Sequence, residues 1–314
     1  MNKIYISGNK GFVGQNLEQF LNENGFEIIG VTRKPICENE ISYKRISKDK
    51  INNSIAFIHL AGKAHDLKGV SDENEYFEVN TELTKTLYNQ FLNSDCKTFI
   101  YMSSVKAVAD KVTGVLSEEI EAKPSTAYGK SKLAAEQYLL AQQLPEGKKL
   151  YVLRPCMIHG PGNKGNLNLL YKLVSMRIPW LLGLFENKRS YCSIENLLFI
   201  INELIENKNI SSGVYNVSDD IPLSTNEVIS LISDSQNNKP LIWNVYKILI
   251  KIIARLGDLI PIPLNSERLN KLTESYIVSN AKIKKAIGKT LPVNSKDGIL
   301  NTFQSFQSNN NFEI

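Results

Sequence analysis

Cysteine, histidine and uncharged apolar runs are scarce in this 314-residue chain. Its four cysteines, Cys37, Cys96, Cys156 and Cys192, stand alone, without the paired spacing of a metal knuckle or a disulfide framework. They read as free thiols in a reducing, cytoplasmic setting. The three histidines, at 59, 65 and 159, form no ligand pair on a helix face, so no metal is expected. The most apolar late stretch, 241–264, contains Lys247, Lys251, Arg255 and Asp258, too many central charges for a membrane span. Its Ile248, Leu249, Ile252, Ile253, Leu256 and Leu259 recur at helical spacing. That spacing predicts an amphipathic helix packed on the protein, with contact to a membrane surface the lesser reading. The opening residues run straight into a strand, with no charged leader or apolar signal core. A dense basic stripe is missing as well. The net charge of +5 is spread along the chain, so no nucleic-acid partner is expected, while an anionic small substrate would suit it.

What is present is an alternation. Strand-like runs at Lys3–Ser7, Glu27–Thr32, Ile41–Ile46, Ile55–Leu60, Thr98–Ser103 and Lys149–Pro155 are separated by helical stretches, the longest over Asp72–Asn93 and Ala127–Gln143. Gly25 closes the first helix. Such alternation predicts an α/β fold whose mostly parallel sheet is covered on both faces. After Pro155 the character shifts to loops and shorter apolar helices. The expected division is a first domain over 1–155 and a smaller substrate-binding lobe over 156–304. Part of 190–205 is expected to pack back on the first domain, and the Asn-, Gln- and Ser-rich residues 305–314 to fray.

Between the first strand and first helix the chain reads Ser7-Gly8-Asn9-Lys10-Gly11-Phe12-Val13-Gly14. A sharp turn, close approach of backbone N–H groups to a diphosphate, and a helix starting against the sheet all favour glycine. The helix N-terminus adds a favourable partial charge. Gly8, Gly11, Phe12, Val13 and Gly14 are thus candidate contacts to a dinucleotide. At the end of the second strand an acid would bond a ribose 2′-hydroxyl, whereas an arginine accepts a 2′-phosphate. The chain has Val31-Thr32-Arg33-Lys34 there, so NADP(H) is favoured over NAD(H), with Arg33 its contact.

Tyr128 and Lys132 lie one turn apart on a predicted helix, on the same face. A lysine cation about 4 Å from the phenol contributes on the order of 4 kcal/mol at an effective dielectric of about 20. That predicts a tyrosine pKa roughly three pH units below its usual value, closer to where a general acid works best. The hydroxyls of Ser103 and Ser104 fall at the carboxyl end of a strand, where ligands bind in such sheets.

Taken in order, the G-x-x-G-x-x-G loop, His59-Leu60-Ala61-Gly62, Asn80, Ser103-Ser104, Tyr128 with Lys132, and Leu153-Arg154-Pro155 resemble the extended short-chain dehydrogenase/reductases over nearly the whole chain. The resemblance implies a Rossmann-type, doubly wound parallel sheet binding NAD(P), with a C-terminal lobe for a nucleotide sugar. It implies that Ser104 polarises the substrate carbonyl or hydroxyl, Tyr128 transfers the proton and Lys132 also holds the nicotinamide ribose. Leu60, Ala61, Gly62, Asn80 and Pro155 would line the cofactor. Members that eliminate water carry an acid after the catalytic serine or threonine, where this chain has Val105 and then Lys106.

Gly160-Pro161-Gly162-Asn163-Lys164-Gly165-Asn166 and Asn187-Lys188-Arg189-Ser190 resemble the members that reduce UDP-4-keto-6-deoxy-N-acetylhexosamines towards UDP-N-acetylquinovosamine and related precursors of surface polysaccharide. So do Ala64-His65-Asp66-Leu67 and Asn216-Val217-Ser218-Asp219 with Ser224-Thr225. The implied substrate contacts are Ser104, Arg189 on the diphosphate, Asn166 and Arg268. A UDP-hexose or UDP-N-acetylhexosamine 4-epimerase is the alternative, because both reactions move a hydride at C4. A non-catalytic NAD(P)-binding protein would be expected to lose Tyr128 or Lys132. A homodimer is compatible with the family but is not indicated by these residues.

Overall fold

The computed structural model describes residues 2–63, 72–163, 165–260 and 264–308, without the side chains of Asn166 and Ser308. Ala64-His65-Asp66-Leu67, Lys164, the Asn166 side chain and residues 309–314 lie outside the described residues. The first half runs β1 (Lys3–Ser7), α1 (Phe12–Glu23), β2 (Glu27–Thr32), β3 (Glu40–Ser42), α2 (Lys48–Ile51), β4 (Ser54–His59), α3 (Glu73–Phe77), α4 (Leu83–Leu92), β5 (Thr98–Met102), β6 (Val115–Leu116), α5 (Ala127–Ala141) and β7 (Lys149–Pro155). The second half continues with β8 (Met157–His159), α6 (Asn166–Ser175), β9 (Tyr191–Ser193), α7 (Ile194–Glu206), β10 (Gly213–Val217), α8 (Thr225–Ser235), α9 (Lys247–Gly257), α10 (Ser266–Thr273), β11 (Ile277–Val278), α11 (Ala281–Ile287) and α12 (Ser295–Ser308).

Seven parallel strands form the central sheet in the order β10-β7-β5-β4-β1-β2-β3, a Rossmann-like arrangement whose strand order reverses between β1 and β4. The two-residue side-chain period of a strand divides the core between the faces. Ile4, Ile6, Ile58, Ile100 and Leu153 meet Leu17 and Leu21 of α1 and Leu197 and Ile201 of α7. Tyr5, Phe57, Phe99, Tyr101 and Val152 meet Leu87, Tyr88 and Phe91 of α4 and Ala135 and Leu139 of α5.

Three expectations need correction. The stretch near Ile41–Ile46 holds a strand only at its start; Tyr43–Arg45 is a 3₁₀ turn. More of the second half returns to the sheet than 190–205. Strand β10 pairs with β7, and Ile283 and Ile287 of α11 join the core on the α1 face. Strand Gly213–Val217 lies far from the first-half alternation of strand and helix that made the other strands readable. Helix α12 continues to Ser308 with Phe306 buried, so order extends past residue 305 where fraying was expected, because two phenylalanines anchor that helix.

The separate core of the second lobe gathers Leu167, Tyr171, Val228, Ile232, Phe303 and their neighbours. Helix α9 rests on this lobe through Ile250 and Ala254. The stripe expected to pack, Ile248, Leu249, Ile252, Ile253, Leu256 and Leu259, is exposed instead. Periodicity reveals that a helix has an apolar face; it does not say what covers it. No helix among the described residues is long and apolar enough to cross a membrane.

Candidate active site

The site is assembled where β4, β5 and β7 end. Ser104 follows β5 and caps a 3₁₀ turn, its hydroxyl accepting from the Lys106 backbone N–H at 3.2 Å. Tyr128 and Lys132 are presented by the first two turns of α5. That helix starts where it does because Thr126 caps it, its hydroxyl accepting from the Gly129 N–H. The Asp110 carboxylate fixes the cap in turn, accepting from the Ser125 N–H at 2.7 Å and the Ser125 hydroxyl at 2.6 Å. Burial alone would raise the Asp110 carboxyl, but these hydrogen bonds bring it below its usual range. Gly129 is required by close approach, since a Cβ there would stand 2.4 Å from the Lys106 carbonyl oxygen.

The electrostatics differ from the sequence expectation. Burial pushes the Tyr128 hydroxyl above its ordinary value, a hydrogen bond with Ser104 pulling the other way. Lys132 is buried, which lowers it to about 8, with the Glu136 carboxylate opposing. The Lys132 ammonium donates to the Met102 carbonyl at 2.8 Å and lies 4.9 Å from the Tyr101 ring centroid. In this arrangement the lysine is spent on a carbonyl rather than on acidifying the phenol. Glu136, one turn further along α5, accepts from Ser103 and from the Arg154 guanidinium, which spans both carboxylate oxygens at 3.0 and 3.1 Å. This buried pair ties α5 to β7 one helical turn beyond Lys132.

Leu60, Gly62, Ser104, Tyr128, Lys132, Pro155 and Arg189 converge on one cavity of about 470 Å³, a volume suited to a small ligand. The glycine loop packs on Ala61 through Gly8, and Asn80 lies beside the lining residue Gly62. Gly8 adopts φ +78° and packs so closely that a Cβ would lie 2.7 Å from the Ala61 nitrogen; at Gly14 it would lie 2.2 Å from the Gly8 carbonyl oxygen. Helix α1 has Gly11 as its N-cap and no side-chain cap, which leaves its first-turn N–H groups without a side-chain acceptor, as a helix N-terminus that takes an anion requires. Asn80 is buried on a π-helical turn, Glu78–Glu82, that interrupts the expected long helix. It accepts from the Lys63 N–H at 2.8 Å and donates to Ser131 at 2.9 Å, clamping the loop after Gly62 to α5. A Cβ on Gly62 would come within 3.0 Å of both the Asn80 amide oxygen and the Lys132 ammonium, so a backbone-lined cradle is kept open there. These features fit a dinucleotide laid from α1 to Lys132. His59 bonds Ser7 at 2.5 Å and Thr84 at 2.8 Å, and burial lowers it to about 3, so it is a neutral framework residue.

Arg189 reaches the cavity edge, held by the Glu274 carbonyl at 3.1 Å and the Lys271 carbonyl at the end of α10. Arg268 does not reach it. Asn265 caps α10, which turns Leu269 inward and leaves Arg268 exposed in the first turn. Arg33 is exposed just past β2. Sequence reasoning missed three lining residues, Lys106 as a cation, Glu274 and Tyr276. The Lys106 ammonium stands 4.4 Å from the Tyr276 ring centroid and donates to the Asp110 carbonyl at 2.8 Å. Burial lowers Lys106, and the nearby Arg189 charge lowers it further. Only the basic residue after Val105 signalled this, and Tyr276 comes from a distant segment with no motif.

A glycine-lined dinucleotide crevice that leads to a Ser–Tyr–Lys set defines the class of short-chain, nicotinamide-dependent enzymes acting on carbinols and carbonyls. Residues 4–218 match the model of the NAD dependent epimerase/dehydratase family, and the chain belongs to that family. It is 30% identical to a UDP-glucose 4-epimerase of Vibrio cholerae, over 98% of this chain and 96% of that protein. It is 28% identical to the N-acetyl-alpha-D-glucosaminyl-diphospho-ditrans,octacis-undecaprenol 4-epimerase of Escherichia coli O157:H7, over 70% of this chain and 65% of that one. The fold resembles that of MoeE5 in complex with UDP-glucose and NAD, with a TM-score of 0.75 at 20% identity over 98% and 99% of the two chains. The chain is therefore a nucleotide-sugar-modifying, nicotinamide-dependent enzyme of this family.

Proposed function

We propose that this enzyme reduces the C4 keto group of a UDP-4-keto-6-deoxy-N-acetylhexosamine, with NADPH favoured as the reductant. The observation that carries this reading is the apolar wall beside the catalytic hydroxyls. Val105, buried directly after Ser104, lines the cavity with Cys156, Met157 and Ile158. Such a wall accommodates a C6 methyl and offers a C6 hydroxyl little in exchange for its water. The motif likenesses around Asn163 and Arg189 point the same way.

A bound nicotinamide supplies the hydride. The residues of this chain do the rest. Ser104 holds the C4 oxygen, and Tyr128 delivers its proton to that oxygen, the charge that develops there being stabilised by the buried Lys132 cation. Arg189, with Lys106 beside it, sets two cations at the cavity edge for the diphosphate. Cofactor preference rests on Arg33 at the end of β2. Of the acids that follow, Glu38 is exposed and Glu40 is paired with Lys10 of the glycine loop at 3.0 Å, which leaves Glu40 poorly placed to take a ribose hydroxyl.

The second reading, a 4-epimerase of a UDP-hexose or UDP-N-acetylhexosamine, is favoured by the names of the two relatives. The NAD of the MoeE5 complex also weighs on the side of NAD. One experiment separates the two. With UDP-4-keto-6-deoxy-N-acetylglucosamine and NADPH, the reductase consumes one cofactor per keto-sugar lost. Interconversion of UDP-N-acetylhexosamine C4 epimers without net cofactor change would replace this reading by the epimerase. In the same assay NADPH should outperform NADH, and Arg33→Ala should narrow the gap; equal use of both by the unmodified enzyme would remove the preference.

A further inference from the structure

Helix α9 has three faces. Ile250 and Ala254, each about 1% exposed, seat it on the second lobe. At about 100° per residue, Ile248, Ile252, Leu256, Leu249 and Ile253 sweep an arc of about 140° on the side turned away from the protein. Lys251 and Arg255, one turn apart, line the flank between, while Lys247 at the start of the helix lies 5.8 Å from the Phe185 ring centroid of the second lobe. The apolar arc is bare: Ile248 is 69% and Leu256 51% exposed. Exposed aromatic and aliphatic residues extend it at both ends, Trp243 and Tyr246 before the helix and Leu259 and Ile260 after it. Isolated exposed aliphatics are ordinary on a protein surface, but a contiguous patch of this kind marks an interaction surface.

Charge and shape choose the occupant. The helix carries no carboxylate between residues 247 and 257, and Asp258 at its end is engaged by the N–H and hydroxyl of Ser266 at 2.9 and 2.6 Å. A second copy of α9 would therefore bring more cations and nothing to pair with them. The outward face is also a ridge rather than a groove, which suits a plane. An anionic bilayer meets both demands, acyl chains below the apolar arc and phosphates beside Lys251 and Arg255, with Trp and Tyr at the headgroup level. We propose that α9 is a membrane-surface anchor, lying in the plane of an anionic lipid interface with Ile248, Ile252 and Leu256 inserted and Lys251 and Arg255 on the phosphates.

The anchor lies close to the chemistry. Helix α10 packs against α9, and the carbonyls of Lys271 and Glu274 at its other end hold Arg189 at the cavity edge.

The test uses the whole protein and reads no activity, so it stands or falls apart from the assay above. The protein is floated with phosphatidylcholine vesicles and with vesicles containing phosphatidylglycerol, and Trp243 emission is followed; the chain's other tryptophan, Trp180, is buried. The expected result is flotation with the anionic vesicles and a blue shift, both weakened by salt. Ile252→Asp with Leu256→Asp should cut binding by about tenfold or more with an unchanged thermal midpoint, and Lys251→Gln with Arg255→Gln should remove the preference for anionic lipid. No flotation of folded protein on either vesicle overturns the proposal. So does a dimer in solution that Ile252→Asp converts to a monomer, because it assigns the face to a second copy.

Discussion

Tyr128 and Lys132 share a helix face but carry different duties. The phenol is held above its usual pKa by burial and stays protonated at neutrality, as the proposed proton donor must. Tyr128→Phe should retain folding and cofactor binding while turnover falls by roughly two to four orders of magnitude; near-normal steady-state rates would take the proton-transfer role away from it. Lys132, lowered to about 8, is a cation below that pH and neutral above it. Cofactor affinity measured by fluorescence titration should therefore decline as pH rises through about 8, while Tyr128 keeps its proton in the same window. Lys132→Arg, whose charge persists, should flatten that decline. A flat profile in the unmodified enzyme would mean the ammonium contributes nothing to binding.

At the level of elements, the loop from Gly8 to Gly14 shows how steric demand and backbone conformation separate. Gly14 has an ordinary backbone, yet a Cβ would strike the Gly8 carbonyl. Gly147 has φ +76° with open space around it. Gly14→Ala should displace the loop and weaken dinucleotide binding by about tenfold or more, whereas Gly147→Ala should cost only about 1 kcal/mol of stability and leave binding alone. Calorimetric titration and denaturant midpoints distinguish the two. The same elements mark how far sequence reading reaches. Strands β1, β2 and β7 were legible to the residue, because short apolar runs bounded by glycine, proline or polar turns leave little choice of register. The Ser104, Tyr128 and Lys132 set was legible because one strand end and one helix turn carry it. Tyr276 and Glu274 were not, since only the folded chain brings β11 and the end of α10 to the cavity. The lysine's partner was misjudged for a similar reason: the spacing placed Lys132 beside Tyr128 on α5, but the carbonyl of Met102 comes from strand β5.

On the scale of the whole molecule, the second lobe depends on its last helix. Tyr171 of α6 stacks on Phe303 with centroids 5.8 Å apart, and Phe306 meets Tyr171 edge-on at 5.3 Å. Phe303→Ala should lower stability by about 3–5 kcal/mol in urea titrations, because the cavity lies where α6, α8 and α12 meet. A loss below about 1 kcal/mol would show that this core is not what holds the lobe.

The return of β10 to the central sheet also sets an order of events during synthesis. When a ribosome has made the chain as far as Pro155, six of the seven strands exist, but β7 still has one unpaired edge. That edge is occupied only after residues 213–217 emerge, and the α1 face gains Ile283 and Ile287 later still. The second core waits longer, for Phe303 and Phe306. Neither lobe can be completed while the distal third is still being made, so the nascent chain carries an open strand edge and uncovered apolar helices at once. Its yield in a cell will accordingly follow the supply of chaperones that shield such surfaces, more closely than it would for a fold finished lobe by lobe.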